Sequence, residues 1–334
     1  KLQSISDAPV IMISGHGTIE TAVEAIKAGA YDFIVKPPDL NRLLITVRNA
    51  IDKKELVSQT LQLRKVTNHK YEIVGDTERI ISMRNMIKKV APTTARVLIT
   101  GENGSGKELV ARQIHEQSSR AKSPFIEVNC AAIPAELIES QLFGHEKGAF
   151  TGALSKKTGL VEAANGGSIF FDEIRELDPV LQAKLLSLLD TQEFRSVGSV
   201  KSKKVDVRFI AATNKILSGE VRAGKFRDDL YYRLQVVAIN IPPLRDRGDD
   251  VLLLCEYFMR RLNTRYERNI RGVESAVEDI FRSYHWPGNV RELENLLERI
   301  FILESENHVL ARHIPPRIMR EVEEGVGTMY PEDL

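Results

Sequence analysis

The stretch Gly101-Glu102-Asn103-Gly104-Ser105-Gly106-Lys107 constrains this chain more than any other. It follows Val97-Leu98-Ile99, an apolar run that predicts a buried strand. It precedes Leu109, Val110, Ala111 and Ile114, whose spacing predicts a helix. Strand, glycine loop, lysine and helix make the layout of a phosphate-binding loop. Glycines let the backbone turn so that successive N–H groups point inward at an anion. The helix N-terminus adds partial positive charge, and Lys107 supplies a full one for the outer phosphates. The plain alternative is a glycine-rich turn with no ligand. Position 108 departs from the common pattern, because Glu108 stands where a Ser or Thr would normally reach Mg²⁺. The metal must lean on another acid.

That acid is available. Ser168-Ile169-Phe170-Phe171 predicts an apolar strand ending in Asp172-Glu173. Asp172 is placed to hold Mg²⁺ through its waters, and Glu173 to polarise the water that attacks a γ-phosphate. Acids that merely cap the next helix are the competing reading, weakened by the glycine loop upstream. Phe125-Ile126-Glu127-Val128-Asn129 and Val207-Arg208-Phe209-Ile210-Ala211-Ala212 predict further strands, the second followed by Thr213-Asn214. Polar residues at the C-terminal ends of several strands are where open parallel sheets bind ligands.

The chain has 334 residues, enough for two or three units. A net charge of +1 offers no global field for nucleic acid or a membrane surface, so any such contact must be local. Cys130 and Cys255 lie far apart in apolar contexts, which fits a reducing compartment. The seven histidines show no ligand spacing with cysteines or acids, so no structural zinc is expected. No signal peptide or membrane-length apolar run is visible, and a cytoplasmic location is expected.

From the N-terminus, Pro9-Val10-Ile11-Met12-Ile13 predicts a strand ending at Ser14-Gly15-His16-Gly17. Thr18 is placed to cap a helix bearing Ile19, Ala22, Val23 and Ile26. Asp32-Phe33-Ile34-Val35 predicts a second strand, ended by Lys36-Pro37-Pro38. Leu40, Leu44, Val47 and Ile51 form one helical stripe. The piece is too small to bury a core alone. It resembles the C-terminal half of a response-regulator receiver domain, whose acidic cluster and phosphoacceptor aspartate find no match here. The resemblance assigns the phosphate-reading hydroxyl to Ser14, the switch aromatic to Phe33 and the switch lysine to Lys36. Ordinary loop residues are the alternative. The helical pattern continues loosely through Leu61 and Leu63, as a linker that could pair with a second copy or only pack on its own sheet.

Between the strands lies Leu142-Phe143-Gly144-His145-Glu146-Lys147-Gly148-Ala149-Phe150-Thr151-Gly152-Ala153. A glycine-flanked Phe on a loop exposes ring surface and suits insertion into a partner. With the phosphate loop and paired acids, this run resembles the sigma-54 activators, AAA+ ATPases also called bacterial enhancer-binding proteins, in the two-component response-regulator branch. The match extends from residue 73 to about 316. It implies an α/β AAA+ P-loop fold, a parallel sheet flanked by helices with a small helical lid. A flavodoxin-like receiver half and a linker helix precede it. The implied boundaries are 1–54 for the receiver part, 55–70 for the linker and 71–245 for the ATPase core. The lid follows at 246–316 and a C-terminal linker at 317–334, with no helix-turn-helix.

The resemblance implies that residues 101–108, with Ile73 and Val74, bind ATP. It implies that Asp172 serves Mg²⁺, that Glu173 activates water, and that Asn129 pairs with Glu173 and couples nucleotide state to the loop. Thr213 and Asn214 match the first sensor. Arg227 and Arg233 match arginine fingers that act on a neighbouring subunit, with surface pairing to Asp228 and Asp229 as the alternative. Arg291 matches the second sensor, which Glu292 could instead neutralise locally. Gly148, Ala149, Phe150, Thr151, Gly152 and Ala153 match the loop that grips the sigma factor of RNA polymerase. Arg175 departs from the family, which usually has glycine there. The run Lys201-Ser202-Lys203-Lys204 reads as a solvated hairpin tip, with promoter DNA as a lesser alternative.

The implied function is receiver-controlled ATP hydrolysis that remodels the sigma-54 RNA polymerase closed promoter complex. The implied partners are a cognate sensor kinase and further copies of the chain: a dimer when inactive, a hexameric or heptameric ring when active. Enhancer DNA is expected only through a domain absent from this chain, and no membrane is expected. The rival reading is a nucleotide-gated partner-binding module with little hydrolysis, which Arg175 and the partial receiver motivate.

Overall fold

A computed structural model describes residues 9–15, 19–27 and 29–40, six positions within 43–50, and residues 72–150 and 152–324. The chain divides into two units, Lys1–Glu72 and Ile73–Leu334. The linker call at 55–70, the cap at Thr18, loop residue Thr151 and the tail beyond 324 lie outside the described residues.

In the first unit, β1 (Ile11–Ser14) and β2 (Asp32–Val35) pair in parallel, joined by α1 (Ile19–Lys27). Ser14 lies opposite Val35, and the Lys36 N–H donates to the Ser14 carbonyl at 2.8 Å. Ser14 and Lys36 therefore meet at the C-terminal edge of the strand pair, while the Phe33 ring is buried.

The second unit opens with α2 (Glu78–Val90), which buries Ile80, Met83, Ile87 and Val90; Met86 of the same helical pattern is exposed. The sheet follows: β3 (Val97–Thr100), β4 (Phe125–Asn129), β5 (Ser168–Asp172), β8 (Arg208–Thr213) and β9 (Val237–Asn240). Their order is β4-β5-β8-β3-β9, and every pairing is parallel. Helices on both faces leave β5 and β8 buried on both sides, which is why their sequences are continuous apolar runs instead of alternating ones. One face packs against α6 (Pro179–Thr191) through Leu181, Leu185, Leu188 and Leu189. The other packs against α2 and α3 (Lys107–Glu116).

Between α6 and β8 runs an antiparallel hairpin of β6 (Glu193–Arg195) and β7 (Ser202–Lys204). The basic run is thus part strand: Lys203 pairs with Glu162 at 2.7 Å and lies over the Phe194 ring, while Lys201 and Lys204 are exposed.

Beyond Leu244 the core is helical and separate. The helices α9 (Asp250–Tyr266), α10 (Ser275–Ser283) and α11 (Asn289–Leu303) close around Trp286, Phe281, Leu293 and Leu297. Strands do not stop entirely, because Gly272–Val273 and His308–Val309 form a short parallel pair. No helix among the described residues is long and apolar enough to cross a membrane. Cys130 and Cys255 are free and buried, and burial pushes both thiols up to about 12.

Candidate nucleotide site

The sheet brings its polar strand ends together. Thr100 lies beside Thr213 and Asn240 on the neighbouring strands, and Asn129 lies beside Asp172. The glycine loop leaves β3 at this edge. Gly104 and Gly106 take φ of +75° and +106°, values that L side chains rarely adopt. Gly106 then caps α3 from the left-handed region, so the first helical N–H groups face the loop.

Lys107 is buried. Its ammonium donates to the Gly101 and Glu102 carbonyls, at 3.0 and 3.4 Å, and lies 3.3 Å from Glu173 Oε1. Glu173 Oε2 accepts the Asn214 N–H at 3.2 Å. The glutamate sits at φ +51°, ψ +52°, a left-handed conformation that costs a non-glycine residue about 1 kcal/mol or more. Such strain at a strand end aims the carboxylate back toward Lys107. Asp172 is half-buried, and its Oδ1 accepts the Glu173 N–H. Burial raises its carboxyl above the usual carboxylate range, with Lys107 opposing the shift.

Asn214 also donates to the Asn103 side chain at 3.0 Å, which ties the end of β8 to the glycine loop. Thr213 is fully buried, and its hydroxyl accepts the Lys215 N–H. Arg291 reaches the site from the lid: its backbone N–H donates to the Gly104 carbonyl. It lines a cleft of about 390 Å³ with Asn103, Gly104, Gly288, Glu292 and Arg317. Glu292 does not neutralise it, because its oxygens accept the Tyr284 hydroxyl and the Gly288 N–H.

Two buried polar atoms here have no hydrogen-bond partner, Ser105 Oγ and Asn214 Oδ1. Orphaned polar atoms beside inward N–H groups and a buried lysine fit a phosphate-bearing ligand. The acids at the end of β5 fit a divalent cation held through water.

Several sequence expectations need correction. Asn129 does not pair with Glu173: its Oδ1 accepts the Ala131 and Ala132 N–H groups, both at 3.1 Å, while Lys107 and Asn214 take the glutamate's two oxygens. The Glu102 side chain turns to the lid, bound to Arg245 and Asn289. Glu108 pairs with Arg112 one turn along α3. Ile73 packs against the sheet core and Val74 against the lid core, so both sit at the seam between them. Arg175 pairs with Glu176 at 2.6 Å. Arg227 pairs with Asp229, and Arg233 with Asp190 instead of a neighbouring acid; neither lines the cleft of its own chain.

A histidine–acid cluster also forms where the spacing predicted none, from Glu304, Glu306 and His313. His313 Nδ1 accepts the Leu310 N–H at 3.1 Å, so in the neutral ring Nε2 carries the proton. His313 Nε2 lies 3.4 Å from Glu306 Oε2, and neither of these buried atoms has a hydrogen-bond partner.

The loop after α4 (Ala135–Phe143) is stitched at its base. His145 and Lys157 exchange backbone bonds, the Glu146 N–H donates to the Val197 carbonyl, and His145 Nδ1 meets Ser140 Oγ at 2.7 Å. Phe150 is 39% exposed, because its ring meets His145 edge-on at 5.0 Å. Gly148 and Gly152 take φ of +81° and +106°, and Ala149 lies against Gly198 of the hairpin. Ala153 is buried, while Leu154 is 85% exposed. Sequence reasoning missed the roles of His145, Arg245, Arg247 and Asn289. Only the Trp286-Pro287-Gly288-Asn289 punctuation before α11 signalled a special backbone at the last.

Gly104 supplies a direct test of this geometry. A Cβ there would stand 2.2 Å from the Gly288 carbonyl oxygen, a backbone atom that cannot swing away. Gly104→Ala is expected to weaken nucleotide binding more than about tenfold and to cost about 2 kcal/mol of stability. Nucleotide titration and thermal unfolding check this, and wild-type affinity would refute the close loop–lid approach.

Comparisons with known proteins agree with this layout. Residues 73–240 match the Sigma-54 interaction domain, 245–328 the AAA+ ATPase lid domain, and 1–48 the Response regulator receiver domain. The regulatory protein AtoC of Escherichia coli K12 is 42% identical over 94% of this chain and 69% of its own length. LuxO of Vibrio cholerae is 43% identical over 93% and 68%. The response regulator PilR of Pseudomonas aeruginosa is 45% identical over 90% and 66%. The crystal structure of NtrX from Brucella abortus in complex with ADP superposes with a TM-score of 0.79. It shows 40% identity over 95% of this chain and 74% of that one. The NtrX complex with ATP gives 0.78 and 41%, over 95% and 74%. With its parallel AAA+ sheet, helical lid and partial receiver, the chain belongs to the sigma-54-dependent response regulators, the NtrC-like transcriptional activators.

Proposed function

We propose that this chain is a Mg²⁺-dependent ATPase that remodels the sigma-54 RNA polymerase closed promoter complex through the Phe150 loop. One observation carries the reading: Glu173 contacts both the loop lysine and Asn214, and Asn214 reaches Asn103 of the loop, which with Arg291 of the lid lines the cleft. The ADP and ATP complexes of NtrX support a nucleotide as the ligand.

The loop N–H groups and Lys107 hold the phosphates. Asp172 holds the metal's waters; Mg²⁺, when bound, neutralises charge on the transferred phosphoryl group. The Glu173 carboxylate orients the attacking water and draws its proton. Lys107 lies 3.3 Å from Glu173 Oε1, so phosphates that attract the lysine release that oxygen for water. Asn214 carries that change to Asn103 and the loop. Arg227 and Arg233 complete the site of a neighbouring copy, which requires a ring. The receiver part, through Ser14 and Lys36, governs assembly in response to a sensor kinase. The domain limits at 54, 70, 245 and 316 remain part of this proposal.

The test is ATPase rate against protein concentration, with Arg227→Ala and Arg233→Ala alongside. Both arginines are exposed ion-pair members, worth little to stability, so the variants should fold. Specific activity should rise with concentration, and each variant should lose about 10³-fold or more. Activity flat with concentration and indifferent to both substitutions would make them surface arginines and defeat the ring.

A further inference from the structure

The phosphate loop is held by the lid at four consecutive residues. Glu102 makes a two-pronged ion pair with Arg245, at 2.5 and 2.9 Å. Asn103 gives its carbonyl to Asn289 Nδ2 at 3.1 Å. Gly104 gives its carbonyl to the Arg291 N–H, and Ser105 gives its own to the Arg247 guanidinium at 3.0 Å. Arg247 is buried, and its other bond ends on the Pro242 carbonyl at 2.9 Å.

Asn289 is the centre of this arrangement. It is fully buried, and three of the four hydrogen-bonding valences of its amide are used. One Nδ2 proton goes to Glu102 Oε2 at 2.9 Å and the other to the Asn103 carbonyl. Its Oδ1 accepts the Leu244 N–H at 2.8 Å. One side chain thus binds the phosphate loop, the junction between core and lid, and the start of α11. Its backbone takes φ +52°, a left-handed value that Asn tolerates better than most residues. A strained, buried amide with both donors and its oxygen engaged fixes one geometry.

We propose that Asn289 and Glu102 form a latch that transmits lid orientation to the phosphate loop. Asn289 is a positioning residue: it holds the loop carbonyls outward so that the N–H groups face the phosphates. When the lid turns, the latch turns the loop with it, and nucleotide affinity follows lid position. This role differs from contact between Arg291 and the nucleotide, since it needs no ligand to act. It rests on the nucleotide-site reading for its consequence, not for its geometry.

The experiment uses the whole chain and two readouts. Hydrogen exchange of residues 101–107 without nucleotide reads the latch itself. ATP affinity reads its consequence. Asn289→Asp keeps the shape, the left-handed tolerance and the bond from Leu244, but removes both donors and sets a carboxylate against Glu102. It is expected to speed loop exchange and weaken ATP binding, each about tenfold. Adding Glu102→Gln reverses the bond, because the Gln amide can donate to the new carboxylate. The pair should recover most of both losses, although Glu102→Gln alone loosens the loop. A merely structural asparagine would not be rescued by a second lesion. Asn289→Gly keeps the backbone unstrained without any amide, and should match Asn289→Asp in loop exchange. Unchanged exchange in Asn289→Asp, or no recovery in the double variant, overturns the latch. If wild type fails to bind ATP while the exchange pattern holds, the latch stands and the nucleotide reading falls.

Discussion

Glu173→Gln is expected to lower ATP turnover by about 10²–10⁴-fold while nucleotide binding persists. The amide keeps the size of the carboxylate and can still accept the Asn214 N–H, but it cannot draw a proton from water. It also ends the Lys107–Glu173 charge contact, which leaves the lysine more available to phosphate. ATP affinity should therefore hold or rise slightly. Steady-state turnover and equilibrium binding of the same variant check both halves. The result also separates the two readings of the chain. An ATPase loses turnover and keeps ATP; a nucleotide-gated module with little hydrolysis barely changes.

The second large effect concerns stability. Trp286→Ala is expected to cost about 3–5 kcal/mol in the lid. The indole is 1% exposed, meets Phe281 and Tyr284 edge-on at 5.3 and 5.1 Å, and donates its N–H to the Phe281 carbonyl at 2.8 Å. Truncation removes both aromatic contacts and leaves the Phe281 carbonyl without the indole N–H. The left-handed turn that Trp286 shares with Asn289 would loosen, so nucleotide affinity should fall with stability. Thermal unfolding followed by circular dichroism measures the loss. A melting point within a degree or two of wild type would show that the lid core lies elsewhere.

Four strands of the sheet, β3, β4, β5 and β8, were legible because their signals are local, while the edge strand β9 was not anticipated. Buried parallel strands read as apolar runs, and each carried its polar residue at the C-terminal end. Phe170-Phe171 before Asp172-Glu173 is such a case, and Ile210-Ala211-Ala212 before Thr213 is another. The loop glycines were legible for the same reason, since a positive φ must be answered by residue type. What escaped is what folding brings from a distance. Nothing in residues 101–107 says that Glu102 will meet Arg245 and Asn289, more than 140 positions away. The family resemblance made Asn129 the partner of Glu173. Yet a short turn at Ala131 and Ala132 satisfied it locally first. His145 was unremarkable in sequence, and its edge-on contact with Phe150 appears only once the loop closes.

That closure has a consequence for how such proteins diversify. The His145–Lys157 backbone pair shuts the loop at its neck, so residues 146–156 form a side branch. For a branch closed at its base, doubling its length costs only about 0.6 kcal/mol of closure entropy. Residues can then be inserted or exchanged at the tip without touching the strands beneath. This one segment, cut at the neck, can be grafted between relatives onto an unaltered sheet.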